Sequence, residues 1–410
     1  MKSAIEKIKK IITGTEFEGN TYIAGGYVRD LVLKNNNSDL DIAVSLPQGG
    51  IRLAALLHRH KVATEPVIFE QFGTALVEMN GHKIEFVMTR NESYRKGSRK
   101  PTTNPGTLLE DISRRDFTIN SLVMDILTGK ILDLTGRGLK DIEDKIIRAT
   151  SDPDFIFHDD PLRILRAVRF ANRLQFKIEK LTAIAMKKDS GELAGISWER
   201  RRDEFIKILL SNTPQKGIEL LFEYKLMQYI IPELDNQKDN INYNEINALP
   251  ASEEMRLAAL LQNAAIQTEE DIISIIIDRL RLSNRVKFKV NFLVKYCHCF
   301  APANNCDSDD LQVRKLIYDH QALLTLFIQY YTVFARSGNW QDQPQKLIAE
   351  IRGIETELEG RSFPLNGNII KQEFEIPECE EIGRIKEKGL NIWLKRPDIS
   401  KAELLKLLKQ

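Results

Sequence analysis

The sequence predicts an α+β protein: a head of mixed sheet and helices over residues 1–142, then an all-α extension to the C-terminus. Three observations carry this. Asn80-Gly81 stands between two β-rich runs, further short strand-like runs lie upstream, and helical periodicity takes over after Ile142. At 410 residues the chain is too long for one compact core, and its 42% hydrophobic content is enough for several.

The elements follow in order. Asn20–Ile23 reads as a short strand entering Gly25-Gly26, with Tyr27–Leu33 helical behind it. Asp39–Val44 alternates, placing Leu40, Ile42 and Val44 on one face and Asp39 and Asp41 on the other. Thr74–Met79 and Lys83–Met88 flank Asn80-Gly81, a pair suited to the positive φ angles of a type I′ hairpin turn. Residues 90–111 are rich in Arg, Lys, Pro and Gly and read as a long mobile loop. Beyond Ile142 the helical texture breaks near Pro232, Asn240–Leu249, Ala301–Ser308 and Phe363–Gly367.

Composition narrows the function classes. The N-terminus MKSAIEKIKKII is amphipathic without an apolar signal core, and no run is long and apolar enough to span a bilayer, so a cytoplasmic location is expected. Four cysteines do not make a disulfide framework. Cys297, His298, Cys299 and Cys306 match no standard zinc spacing and read better as part of a buried helical run. The overall charge of +1 announces no nucleic-acid binder, yet residues 161–210 hold 12 basic against six acidic side chains, a local patch.

Asp39 and Asp41, on one face of a predicted strand, would repel unless a cation lay between them. Mg²⁺ is the natural choice, because it binds through one or two carboxylates plus substrate phosphates. The chemistry expected at Asp39 and Asp41 is metal-dependent phosphoryl transfer. Upstream, Gly25-Gly26 would let backbone N–H groups approach phosphates, so Gly26 is a candidate nucleotide contact and Arg29 a candidate triphosphate ligand. Glu85, on the second hairpin strand, is either a third carboxylate or an ordinary surface acid.

In DDPLRILRAVRF (159–170), Pro161 suits the first turn of a helix and the preceding Asp its N-cap. Asp160, Arg163, Arg166 and Arg169 then recur every third residue, with Ile164, Leu165 and Val168 on the opposite, core side. A carboxylate accepts and a guanidinium donates. Cytosine (N4 amino beside N3) and adenine (N6 amino beside N1) match an Asp160–Arg163 pair, whereas uracil and guanine mismatch it. Each wrong bidentate contact costs on the order of 1–3 kcal/mol. Arg166 and Arg169 would hold sugar or phosphate.

These segments together resemble the class II tRNA nucleotidyltransferases and bacterial poly(A) polymerases of the DNA polymerase β superfamily. GGYVRD with DLD resembles the family's motif A, RRDFTIN (114–120) motif B, DLTGRGLKDIEDKIIR (133–148) motif C, DDPLR motif D and ERRRDEF (199–205) motif E. The family usually has Glu where this chain has Asp159. The resemblance implies Arg115 as a nucleotide contact and a polymerase β-like head (1–142), a base-reading neck (143–212), a helical body (213–300) and a tRNA-binding tail (301–410). It implies addition of CCA from CTP and ATP to the tRNA 3′ end, with the 90–111 loop as the switch from CTP to ATP. A-only or CC-only addition, poly(A) synthesis and a catalytically silent tRNA-binding protein remain as alternatives. No obligate protein partner is expected. The extra basic signature of the poly(A) polymerases is missing from 42–82. No His-Asp pair of a phosphohydrolase domain follows residue 235.

Overall fold

The computed structural model describes residues 1–35, 40–93, 102–265, 271–301, 310–337, 342–377 and 380–410. The chain forms two compact units, Met1–Lys238 and Asp239–Gln410.

The first unit opens with α1 (Lys2–Ile12), whose Ala4, Ile5, Ile8 and Ile12 recur at helical spacing and are buried. β1 (Thr21–Ala24), α2 (Gly26–Val32), β2 (Leu40–Val44), α3 (Gly49–Arg59), β3 (Val67–Phe69), β4 (Thr74–Met79) and β5 (His82–Met88) follow. Then come β6 (Arg90–Ser93), β7 (Thr102–Pro105), α4 (Leu108–Ser113), β8 (Val123–Asp125), β9 (Ile131–Leu132) and α5 (Gly138–Glu143). Seven strands form one mixed sheet in the order β3-β4-β5-β2-β1-β8-β9. Within it β2 and β5 run parallel and the other neighbours antiparallel. The β4–β5 hairpin turns through Asn80 (φ 51°) and Gly81 (φ 75°), as the Asn-Gly signal requires. The inward side chains Leu40, Ile42, Val44, Ile84 and Phe86 are fully buried.

The described parts of the segment expected to be a long loop form regular elements. β6 pairs antiparallel with β7, Arg90 opposite Pro105, and α4 starts at Leu108 behind a Thr107/Glu110 capping box. Polar composition hid both: a two-stranded ribbon needs only backbone pairing, and its sequence carries no apolar alternation. The residues between the two strands, 94–101, lie outside the described set.

After the head come β10 (Ile146–Ile147), α6 (Pro153–Asp159), α7 (Leu162–Leu174), β11 (Lys177–Ile178), α8 (Lys180–Asp189), α9 (Trp198–Leu209) and α10 (Pro214–Glu223). The extension is therefore not wholly helical, since β10 and β11 pair in parallel. Two-residue strands are too short for periodicity to register. In α7, Ile164, Leu165 and Val168 are fully buried, as the sequence predicts, and the helix packs on α9 and α10.

Among the described residues the second unit is helical: α11 (Tyr243–Ala248), α12 (Glu253–Ala265), α13 (Asp271–Arg279), α14 (Asn284–Cys299), α15 (Asp310–His320), α16 (Leu324–Ser337), α17 (Gln343–Leu358), α18 (Gly367–Phe374), α19 (Glu380–Lys395) and α20 (Lys401–Leu408). Cys297 on α14 is buried, and burial followed by the neighbouring Glu245 pushes its thiol well up. Cys306 lies outside the described residues. No helix among those described is long and apolar enough to cross a membrane.

Candidate active site

A cleft of about 840 Å³ opens in the first unit between the sheet and α7. Asp41 is exposed on β2, and Glu85 stands beside it in register on the parallel strand β5. Burial, then the Asp41 charge, raises the Glu85 pKa, while Arg90 opposes them. Two carboxylates facing one space, one of them reluctant to ionise, suit a divalent cation. Asp39 lies outside the described residues. Among the described ones no group of three or more His, Cys, Asp or Glu is gathered for a metal.

Gly25 sits at φ 69°, a conformation that suits glycine. A Cβ there would lie 3.7 Å from both Asp41 Oδ2 and Arg115 Nη1. The glycine therefore keeps open the space between a carboxylate and a guanidinium, and Gly26 lines the same space. Arg115 is anchored by donating to Asp111 Oδ2 (2.9 Å from Nη2), and Arg114 donates to Asp111 Oδ1 at 2.6 Å. Burial alone would raise the Asp111 pKa, but Arg115 and Arg114 outweigh it and hold the carboxyl below its usual range.

Arg29, the candidate triphosphate ligand, lines the cleft but is itself buried in its wall. Its Nε donates to Asp30 Oδ1 and its Nη1 to Asn120 Oδ1, both at 2.7 Å. Asn120 in turn donates to Asp116 Oδ1 at 3.0 Å, and Asp116 Oδ2 accepts from Arg166 Nε at 2.9 Å. This chain of polar contacts ties α2 to α7 through the RRDFTIN segment. Asp116 is buried; desolvation is overcome by Arg166, Asn120 and the Phe117 backbone, so its pKa falls. Arg169 pairs with Glu204 at 2.6 Å, and the Phe170 ring lies under Arg169 (4.1 Å), Arg29 (5.3 Å) and Arg166 (5.5 Å).

Asp160 and Arg163 both line the cleft. Asp160 precedes α7, and its Oδ1 accepts from the Leu162 backbone at 3.2 Å. Arg200 donates to both Asp160 oxygens, at 3.1 and 3.3 Å. Arg163 pairs with Asp159 at 2.9 Å and donates to the Ile156 carbonyl at 3.1 Å. A guanidinium carries five N–H groups, so Arg163 keeps donors beyond those two contacts, and the Asp160 carboxylate keeps acceptor capacity. Among the described residues, nine arginines and five carboxylates line the cleft, with no lysine. Arginine's planar fork suits phosphate. The sequence reading missed Asp111, Asp116, Asn120 and Arg200. The i, i+3 and i, i+4 spacing of Asp111 to Arg114 and Arg115 was a legible signal.

Residues 21–148 match the Poly A polymerase head domain, and residues 175–238 match the probable RNA and SrmB- binding site of polymerase A. The CCA-adding enzyme of Ligilactobacillus salivarius is 33% identical over 291 residues, covering 70% of this chain and 69% of that protein. The chain belongs to the class II tRNA nucleotidyltransferase and poly(A) polymerase family. The CCA-adding enzyme of Pediococcus pentosaceus is 36% identical over 58% of this chain, and the match spans only 59% of that relative's length. The A-adding tRNA nucleotidyltransferase of Aquifex aeolicus is 37% identical over 51% of this chain and 25% of that protein. The solved CCA-adding enzyme of Bacillus stearothermophilus in complex with CTP shares the fold: TM-score 0.73 at 23% identity, covering all of this chain and 98% of that one. Members of this family work with a divalent metal.

Proposed function

We propose that the protein adds CCA to the 3′ end of tRNA from CTP and ATP, without a nucleic-acid template, as a cytoplasmic enzyme. The observation that carries this reading is one arginine-lined cleft whose walls include both the Asp41–Glu85 pair and Asp160 with Arg163. Asp41 and Glu85, with Asp39 from the sequence, would hold Mg²⁺, which when bound promotes hydroxyl attack and neutralises the departing pyrophosphate. Arg115, beside the Gly25 opening, is placed to take triphosphate charge, and Gly26 borders the same space. Arg29, Arg166 and Arg169 act from behind: their ion pairs hold the wall against which a nucleotide packs. Asp160 accepts from the exocyclic amino group of cytosine or adenine, and Arg163 donates to the ring nitrogen beside it. The helical second unit supplies the remaining grip on tRNA.

A second reading, addition of A alone, is favoured by the A-adding relative. Both readings are tested by incubating the protein and Mg²⁺ with tRNAs ending at the discriminator base, at C and at CC, with CTP, ATP or both. Growth of all three to CCA, followed by a stop, is expected. Growth of the CC-ended substrate alone, by one A, would replace the first reading with the second, and untemplated poly(A) tails would overturn both.

A further inference from the structure

The cleft has an apolar margin that nothing in nucleotide binding explains. Phe69 and Phe72 both line it, yet they are 48% and 42% exposed. Phe69 ends β3, the edge strand of the large sheet. Phe72 ends the short 3₁₀ turn Glu70–Phe72, which closes at Gly73 (φ 61°). A Cβ at Gly73 would come within 2.9 Å of Met88 Cβ, so the turn is held close against β5. The Arg90 guanidinium lies 5.5 Å from the Phe72 ring centroid.

Strand register places this margin relative to the chemistry. Asp41 faces Glu85 across β2 and β5. One pleat along, Ala43 pairs with Val87, Val87 with Thr74, and Thr74 with Phe69. Phe69 therefore shares the sheet face of Asp41. It stands three strand spacings, about 14 Å, from Ala43. The side of the cleft formed by α7 and the Gly25 opening is taken by the nucleotide in the proposed function. Among the described residues, the sheet face toward β3 borders the same cleft as Asp41.

We propose that Phe69 and Phe72 form a stacking platform for the unpaired 3′-terminal bases of the RNA being extended, with Arg90 countering the phosphate charge beside them. Every base offers a π face, so aromatic platforms grip single strands without regard to sequence. Sequence tolerance is what an end that changes with each addition demands. The platform rests on the proposed reading that an RNA 3′ end enters this cleft.

The test compares wild type with Phe69→Ala, Phe72→Ala, Phe72→Leu and Phe72→Trp, on tRNA ending in CC. KM is measured separately for the RNA and for ATP. A second readout places 2-aminopurine at the penultimate nucleotide and follows its fluorescence on binding. The alanine variants should raise the RNA KM about ten-fold or more and leave the ATP KM nearly unchanged. Wild type and Trp should quench 2-aminopurine, whereas Leu and Ala should not. An unchanged RNA KM, or a Leu variant as good as Phe, overturns the platform. A loss of concentration-dependent self-association with RNA KM unchanged also overturns it, and assigns the edge strand to a second copy of this chain. Failure of wild type itself to extend any acceptor would instead remove the function on which the platform rests.

Discussion

The two units handle buried charge in opposite ways. In Met1–Lys238 the buried carboxylates Asp111 and Asp116 are each met by guanidiniums, which hold them ionised against the cost of burial. In Asp239–Gln410 the buried Glu245 on α11 meets no guanidinium among the described residues, and burial raises its pKa to about 7, with the Tyr330 hydroxyl pulling the other way. Arginine-bound carboxylates build a rigid, charged cleft wall. A carboxyl that burial biases toward its neutral form behaves as core. The difference teaches that burial alone does not mark a working site; burial with a matched cation, bordering open space, does.

Four measurements break or sharpen that contrast. The largest effect is expected from Asp41→Ala, which should lower nucleotide incorporation by about 10³-fold or more, read as kcat/KM. Asp41 is exposed, so circular dichroism should show an intact fold. Retained activity would remove the carboxylate pair from the chemistry.

The second is the pH dependence of local stability, read by amide exchange in each unit. Glu245 ionises near 4.5 when unfolded and near 7 when folded. Its contribution is therefore full at low pH and is lost as pH rises from about 4.5 to 7, by up to about 3 kcal/mol. Asp111 and Asp116 run the other way: their folded pKa values lie below the ordinary 3.8. Their contribution is present above that value and is lost as pH falls through the lowered one. Around α11 and α16, protection relative to the intrinsic exchange rate at each pH should rise on acidification from pH 7 to 5, and Glu245→Gln should flatten this rise. A pH response that survives the Gln variant would move the titration to another group.

The third, Arg163→Ala, should reduce discrimination of CTP and ATP against UTP and GTP by about ten- to a hundred-fold. It should leave tRNA affinity nearly untouched. Lost tRNA binding with base choice intact would end the base-reading role.

The smallest effect is expected from Arg200→Ala. Its pair with Asp160 is 52% and 30% exposed, and exposed pairs contribute about 0–1 kcal/mol. A melting temperature within a few degrees of wild type is expected. A larger fall would place this pair among the structural ion pairs of the first unit.

Much of this was legible without coordinates, and the reasons are local. The Asn80-Gly81 turn, the Gly25-Gly26 entry to α2 and the buried stripe of α7 follow from φ preferences and periodicity, which neighbouring residues set among themselves. Asp41, Asp160 and Arg163, singled out in the sequence by their spacing, all line one cleft. The ribbon of β6 and β7 was not legible, because backbone pairing leaves little trace in a polar sequence.

What the sequence by itself determined is the order of elements, the faces of helices and strands, and the residue types able to bind metal, phosphate and base. Only the tertiary structure decided the partners. Arg29 reaches Asn120 across 91 positions, Arg166 reaches Asp116 across 50, and Arg200 reaches Asp160 across 40. Any of the many arginines could have met any of the acids. Which pairs form depends on where packing of the sheet against α7 brings the side chains, and that turned Arg29 inward and left Phe69 and Phe72 at the open margin.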